Sequence, residues 1–264
     1  MALSKTSLYQ SAAIQGRVIG ALLMREIITR FGRHNLGFLW MMLEPMLFTL
    51  GVTTLWALIK VTHGTSLPIA AFALTGYSSI LLWRNCSNRI VKSIEPNLSL
   101  LYHRNVKVID VFSARLILEI AGATMSLSIL TVIFSSIGLM EWPEDILTAI
   151  YAWFLLVWFA VALSLIVGAA AERSELVDRV WHIITYLLFP LSGAAFLVDW
   201  FPKAVQDLLY WVPMVHGTEM IRHGYFGDTV KTYEDPVYLI LVNTGMLLLG
   251  LALTRETGRR VEPE

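Results

Sequence analysis

The sequence predicts an all-α membrane protein with six transmembrane helices, an N-terminal amphipathic interface helix, and a re-entrant helical segment between the fifth and sixth spans. Three observations carry this. The 264-residue chain is 56% hydrophobic and 15% charged, against roughly one-quarter charged in soluble domains. Its apolar residues gather in runs close to the ~20 residues that a helix needs to cross a hydrocarbon core of about 30 Å. A basic stretch with helical apolar spacing leads directly into the first of these runs. Inside lipid such runs must be helical, because each backbone N–H and C=O has to be satisfied within the segment.

The elements follow in order. Over residues 15–34, Leu22, Leu23, Ile27, Ile28 and Phe31 form an apolar stripe, and Arg25, Glu26, Arg30 and Arg33 form the wet face. That is the pattern of a helix lying in the interface plane. A turn at Asn35, Leu36 and Gly37 then passes to candidate spans at 38–59, 67–83, 116–137, 146–171, 180–198 and 237–254. Between the second and third spans, a short middle portion at 94–105 is broken by Pro96. The connection 199–236 has helical spacing at Phe201, Val205, Leu208 and Leu209, an interruption at Pro213, and further helical character through Glu219, Met220 and Tyr225. Two short helices around Pro213 fit a re-entrant hairpin, which is tolerated at membrane depth only where protein or water covers it. The chain reads as one membrane domain over residues 1–264, without an internal repeat.

Lys and Arg set the orientation. Sixteen of the twenty fall before the first span, between spans two and three, between four and five, or after the sixth; only Lys60, Lys203, Arg222 and Lys231 fall on the other side. The bias predicts that both termini are cytoplasmic.

Several chemistries are excluded. Formal net charge is zero, so there is no basic footprint for nucleic acid. Cys86 is the only cysteine, which excludes an intrachain disulfide. No G-x-x-x-x-G-K-[ST] is present, so the chain has no P-loop of its own. His216 and His223 are seven apart and His182 lies inside an apolar run; no metal or cofactor is expected on this chain. Glu44, just before Pro45, and Glu119 lie near the starts of spans. An ionisable group there marks a function or a buried partner, unless it snorkels to the interface.

The order Arg25-Glu26, Arg30-Phe31, Leu36-Gly37, Leu39-Trp40 and Pro45 resembles the N-terminal signature of ABC-2 type exporter permeases. In that pattern an R-[DE] pair, an R-[YF] pair, L-G-x-L-W and a proline recur at these spacings. The outer segment from Trp211 to Gly227 is similar to the equivalent region of the capsular polysaccharide export branch. The resemblance implies a homodimeric transport subunit of the bacterial inner membrane, itself no enzyme, which pairs with separate ABC ATPase subunits carrying ATP and Mg. It implies a lipid-linked polysaccharide cargo, with a periplasmic co-polymerase and an outer-membrane export protein continuing the route. It assigns Arg25, Arg30, Arg33, Trp40 and Glu44 to the substrate entry and interface helix. Glu95, Pro96, Asn97, Leu98 and Leu101 would couple to the ATPase, and Trp211, Pro213, His216, Glu219 and Arg222 would form the exit segment. A teichoic-acid or O-antigen permease is the nearest alternative. An intramembrane enzyme acting on lipid-linked sugars is a further one.

Overall fold

The computed structural model describes residues 8–31, 36–58, 67–102 and 106–261. The described residues are helical and contain no strand. Helices α1 (Leu8–Phe31), α2 (Leu36–Leu58) and α3 (Ile69–Ile90) come first. A 3₁₀ turn at Glu95–Asn97 runs into α4 (Leu98–Leu101), followed by α5 (Val108–Ser136) and α6 (Ile146–Ala171). The remainder holds α7 (Glu175–Leu187), α8 (Lys203–Leu209), α9 (Pro213–Phe226) and α10 (Pro236–Val261).

Helices α5 and α6 start where the chain supplies a cap. The Asp145 carboxylate accepts from the backbone N–H groups of Leu147 and Thr148 at 3.0 and 3.1 Å, which satisfies donors that a helix start leaves orphaned. At the head of α5, the Asp110 carboxylate accepts from the Lys107 N–H at 2.9 Å.

Helix α6 is the centre of the molecule and packs against α3, α9 and α10. Leu155, Leu156, Ala160, Ala162 and Ala169 on it are almost fully buried. Its small side chains let neighbours approach closely. Against α10, a methyl on Gly250 would lie 2.8 Å from the Leu165 Cβ. The Asn243 side chain donates to the Leu155 carbonyl at 2.9 Å, so α10 is joined to α6 by a polar bond as well as by packing.

Three helices, α5, α6 and α10, are long and apolar enough to cross a membrane, and α2 carries a shorter apolar stretch at Met42–Leu58. The boundaries expected for the fourth span hold. α5 begins eight residues before the expected 116, capped by Asp110, and α1 begins before the expected residue 15. The run expected at 180–198 is not one helix. α7 ends at Leu187, a 3₁₀ turn at Phe189–Leu191 contains Pro190, and Gly193 takes a left-handed φ of 79°. Proline cannot extend the ladder and glycine supplies the reversal. Thirteen helical residues rise about 20 Å, short of a full crossing.

Candidate functional site

Two polar clusters lie at opposite ends of the bundle. The first collects three arginines and three glutamates from four helices. Arg30 of α1 pairs with Glu119 of α5, and both side chains are largely buried. Arg89 of α3 reaches the same Glu119 oxygen at 3.5 Å and Glu44 of α2 at 3.6 Å. Arg115 of α5 pairs with Glu26 of α1 at 3.2 Å and donates to the Arg89 carbonyl at 2.8 Å. Close by, the Gln15 amide donates to the buried Asp110 carboxylate. Pairing makes charge at this depth tolerable, because a buried ion without its partner is costly. An anionic ligand arriving here therefore has to compete with glutamates for the guanidinium groups.

The connecting segment is attached to the same helix. Arg25 donates to the Asn97 side-chain oxygen and, at 3.3 Å, to the Pro96 carbonyl. Asn97 is buried and donates in turn to the Ser93 carbonyl at 2.8 Å. Leu101 enters the core, whereas Glu95, Pro96 and Leu98 remain exposed. The segment thus shows a short exposed knob fastened to α1 by one arginine. Trp40 is exposed, and Arg33 lies outside the described residues.

The second cluster is built on α9, whose first turn starts at Pro213. Pro213 initiates this helix rather than interrupting one, as suits a residue with no N–H to satisfy. Arg222 and Glu219 are fully buried and 3.8 Å apart. Arg222 donates to the carbonyls of Phe196 and Ala194, the latter at 2.8 Å, and its guanidinium lies 3.9 Å over the Phe72 ring. The Glu219 carboxylate accepts the N–H groups of Val198 and Tyr233 at 3.4 and 3.3 Å. Arg222 and Glu219 together pin the bend after α7 onto α3 and α9. Gly76 of α3 leaves the necessary room: a methyl there would lie 2.1 Å from the Ala194 oxygen.

His216 has both ring nitrogens engaged by backbone. Its Nδ1 accepts from the Asp235 N–H at 3.0 Å and its Nε2 faces the Tyr210 carbonyl at 2.7 Å. The proton must therefore be on Nε2, and the ring is neutral. Trp211 is 70% exposed and stands edge-on to Tyr210 and Tyr238.

With both clusters described, comparison with known proteins decides the family. A family model for the ABC-2 type transporter matches residues 17–226. The chain belongs to the ABC-2 type transporter family. It is 48% identical over 263 residues to the capsule polysaccharide export inner-membrane protein CtrC of Neisseria meningitidis serogroup B, covering 100% of this chain and 99% of that protein. It is 45% identical over 260 residues to the capsule polysaccharide export inner-membrane protein BexB of Haemophilus influenzae, with 98% of each chain covered. The polysialic acid transport protein KpsM of Escherichia coli is 29% identical over 242 residues, 92% of this chain and 94% of that protein.

For this ABC-2 family member, sequence reasoning singled out Arg25, Arg30, Glu44, Asn97 and Glu119 but not the pairs that they form. Gln15, Arg89, Asp110 and Arg115 were not read as site residues. Phe72 and Gly76, which complete the Arg222 pocket, carried no local signal at all.

Proposed function

We propose that this chain is the transmembrane subunit of an ATP-driven exporter that moves lipid-anchored capsular polysaccharide across the bacterial inner membrane. The observation that carries the reading is identity of 45–48% along essentially the whole chain to proteins named for capsule polysaccharide export at that membrane. Two copies form the passage, and separate ABC ATPase subunits supply ATP and Mg. In this reading α2, α3, α5, α6, the bent segment begun by α7, and α10 are the six spans. Helix α1 lies in the interface, α8 and α9 form the re-entrant hairpin, and both termini face the cytoplasm.

The exposed side chains of Glu95, Pro96 and Leu98 suit contact with the ATPase. The Arg25 bond to Asn97 and the Arg30 pair with Glu119 give a contiguous route from that contact through α1 to α5. Arg25, Arg30, Arg33, Trp40 and Glu44 border the cargo entry. Trp211, Pro213, His216, Glu219 and Arg222 shape the exit, where a periplasmic co-polymerase and an outer-membrane export protein take over.

Complementation tests the proposal. In a capsulated strain lacking its own permease, the chain restores surface polysaccharide only together with an ABC ATPase, and vanadate abolishes the effect. Failure of any nucleotide-binding subunit to co-purify in mild detergent, with no capsule restored, refutes it.

A further inference from the structure

Lys107, Arg255 and Arg259 line one groove of about 460 Å³ between the start of α5 and the end of α10. Ile109 and Leu251 supply apolar wall, and Thr254, whose hydroxyl donates to the Gly250 carbonyl at 2.8 Å, also lines it. Among the described residues, no carboxylate lies within ion-pair distance of any of these three cations. The nearby acids are already committed: Glu256 binds Arg173 at 3.0 Å and Arg260 at 2.7 Å, and Asp110 accepts the Lys107 backbone N–H and the Gln15 amide. Arg255 and Arg259 are four residues apart on one helix, a like-charge spacing that is unfavourable on its own. Lys107 adds a third positive charge from the facing helix. Arg30, Arg89, Arg115, Arg173 and Arg260 at this end each pair with a glutamate, whereas the three groove cations have no such partner among the described residues.

We propose that the groove holds the phosphate headgroup of an anionic glycerophospholipid, with an acyl chain lying along Ile109 and Leu251. Basic pockets between membrane helices on the cytoplasmic side take anionic headgroups, and the arginine fork suits phosphate oxygens. The apolar wall distinguishes this from a site for a free anion. The inference uses only the groove and its membrane setting, so it stands or falls separately from the identity of the exported cargo.

Native mass spectrometry of the purified full chain, titrated with phosphatidylglycerol or phosphatidylcholine, tests it. Each Lys or Arg near an anionic surface contributes ~1 kcal/mol, about a fivefold change in affinity. The triple variant Lys107→Gln, Arg255→Gln, Arg259→Gln should therefore bind phosphatidylglycerol roughly a hundredfold more weakly, with phosphatidylcholine binding unchanged. Arg179→Gln and Arg260→Gln, at cations already paired with acids, should leave both lipids unaffected. If the triple variant does not fold, the single reversal Arg259→Glu decides, with a loss above fivefold expected. Unchanged phosphatidylglycerol affinity in the folded variant, equal affinity for phosphatidylcholine, or displacement of the lipid by equimolar inorganic phosphate would overturn the assignment.

Discussion

Gly76→Ala should unfold the α9 end of the bundle disproportionately for a single methyl. The added Cβ would sit 2.1 Å from the Ala194 carbonyl oxygen and 2.9 Å from the Arg222 Nη2. The first obstacle is backbone and cannot rotate away, so the bend holding Ala194 must retreat from α3. That retreat breaks the 2.8 Å bond from Arg222 inside a fully buried pocket. Overpacking costs ~1–3 kcal/mol, and loss of a hydrogen bond from a charged group costs ~1.5–3 kcal/mol. Alanine's better helix propensity returns about 1 kcal/mol. The net loss of about 2–5 kcal/mol corresponds to roughly 5–15 °C in melting temperature for a chain of this size. The assay is thermal unfolding of the purified protein in detergent, followed by tryptophan fluorescence. Gly245→Ala is the matched control, because nothing lies within 4 Å of the methyl it would add; it should melt at or slightly above the wild type. If Gly76→Ala melts with the wild type while Gly245→Ala does too, the account of the Arg222 pocket is wrong.

Three further outcomes are expected. Glu119→Ala should destabilise more than Arg30→Ala, because it removes the carboxylate that both Arg30 and Arg89 reach, whereas Arg30→Ala leaves Arg89 at 3.5 Å from it; a double-mutant cycle on detergent stability should give a coupling of about 1–3 kcal/mol. Arg25→Ala or Asn97→Ala should keep ATPase turnover in the assembled complex but lower surface capsule per ATP, since the exposed knob loses its tie to α1; unaltered export would refute the route. His223 is held above its ordinary value of 6.5, chiefly by its hydrogen bond with Glu234, with Asp228 and Asp145 adding attraction. Its stabilisation is complete below 6.5 and is lost as pH rises through the higher folded value, so melting temperature should fall across that window and His223→Gln should flatten the slope.

Much of the architecture was legible because periodicity and apolar run length are local properties. The span 146–171 emerges from one uninterrupted apolar stretch with Asp145 as its cap, and α10 follows similarly. The fifth run failed because its hydropathy concealed Pro190 and Gly193, whose effect is on backbone geometry rather than on polarity. The charged residues were visible as unusual, yet their pairing was not. Arg30 meets Glu119 across 89 positions and Arg25 meets Asn97 across 72, separations that no spacing rule bridges. Glu219 and Arg222 could be paired from their one-turn spacing, but the carbonyls that receive Arg222 belong to a bend whose position depends on packing against α3 and α9.

The polar bond from Asn243 to Leu155 and the close fit of Gly250 on Leu165 have a bearing on biosynthesis. The helix that carries both contacts, α10, leaves the ribosome well after α6. Until it arrives, α6 has one flank without its neighbour and the Leu155 carbonyl lacks the side chain that binds it. The nascent protein therefore waits on α10 to close this flank. A truncation just before Pro236 would leave a chain bearing both charged clusters and most of its long helices, yet open along its middle and exposed to quality-control proteolysis.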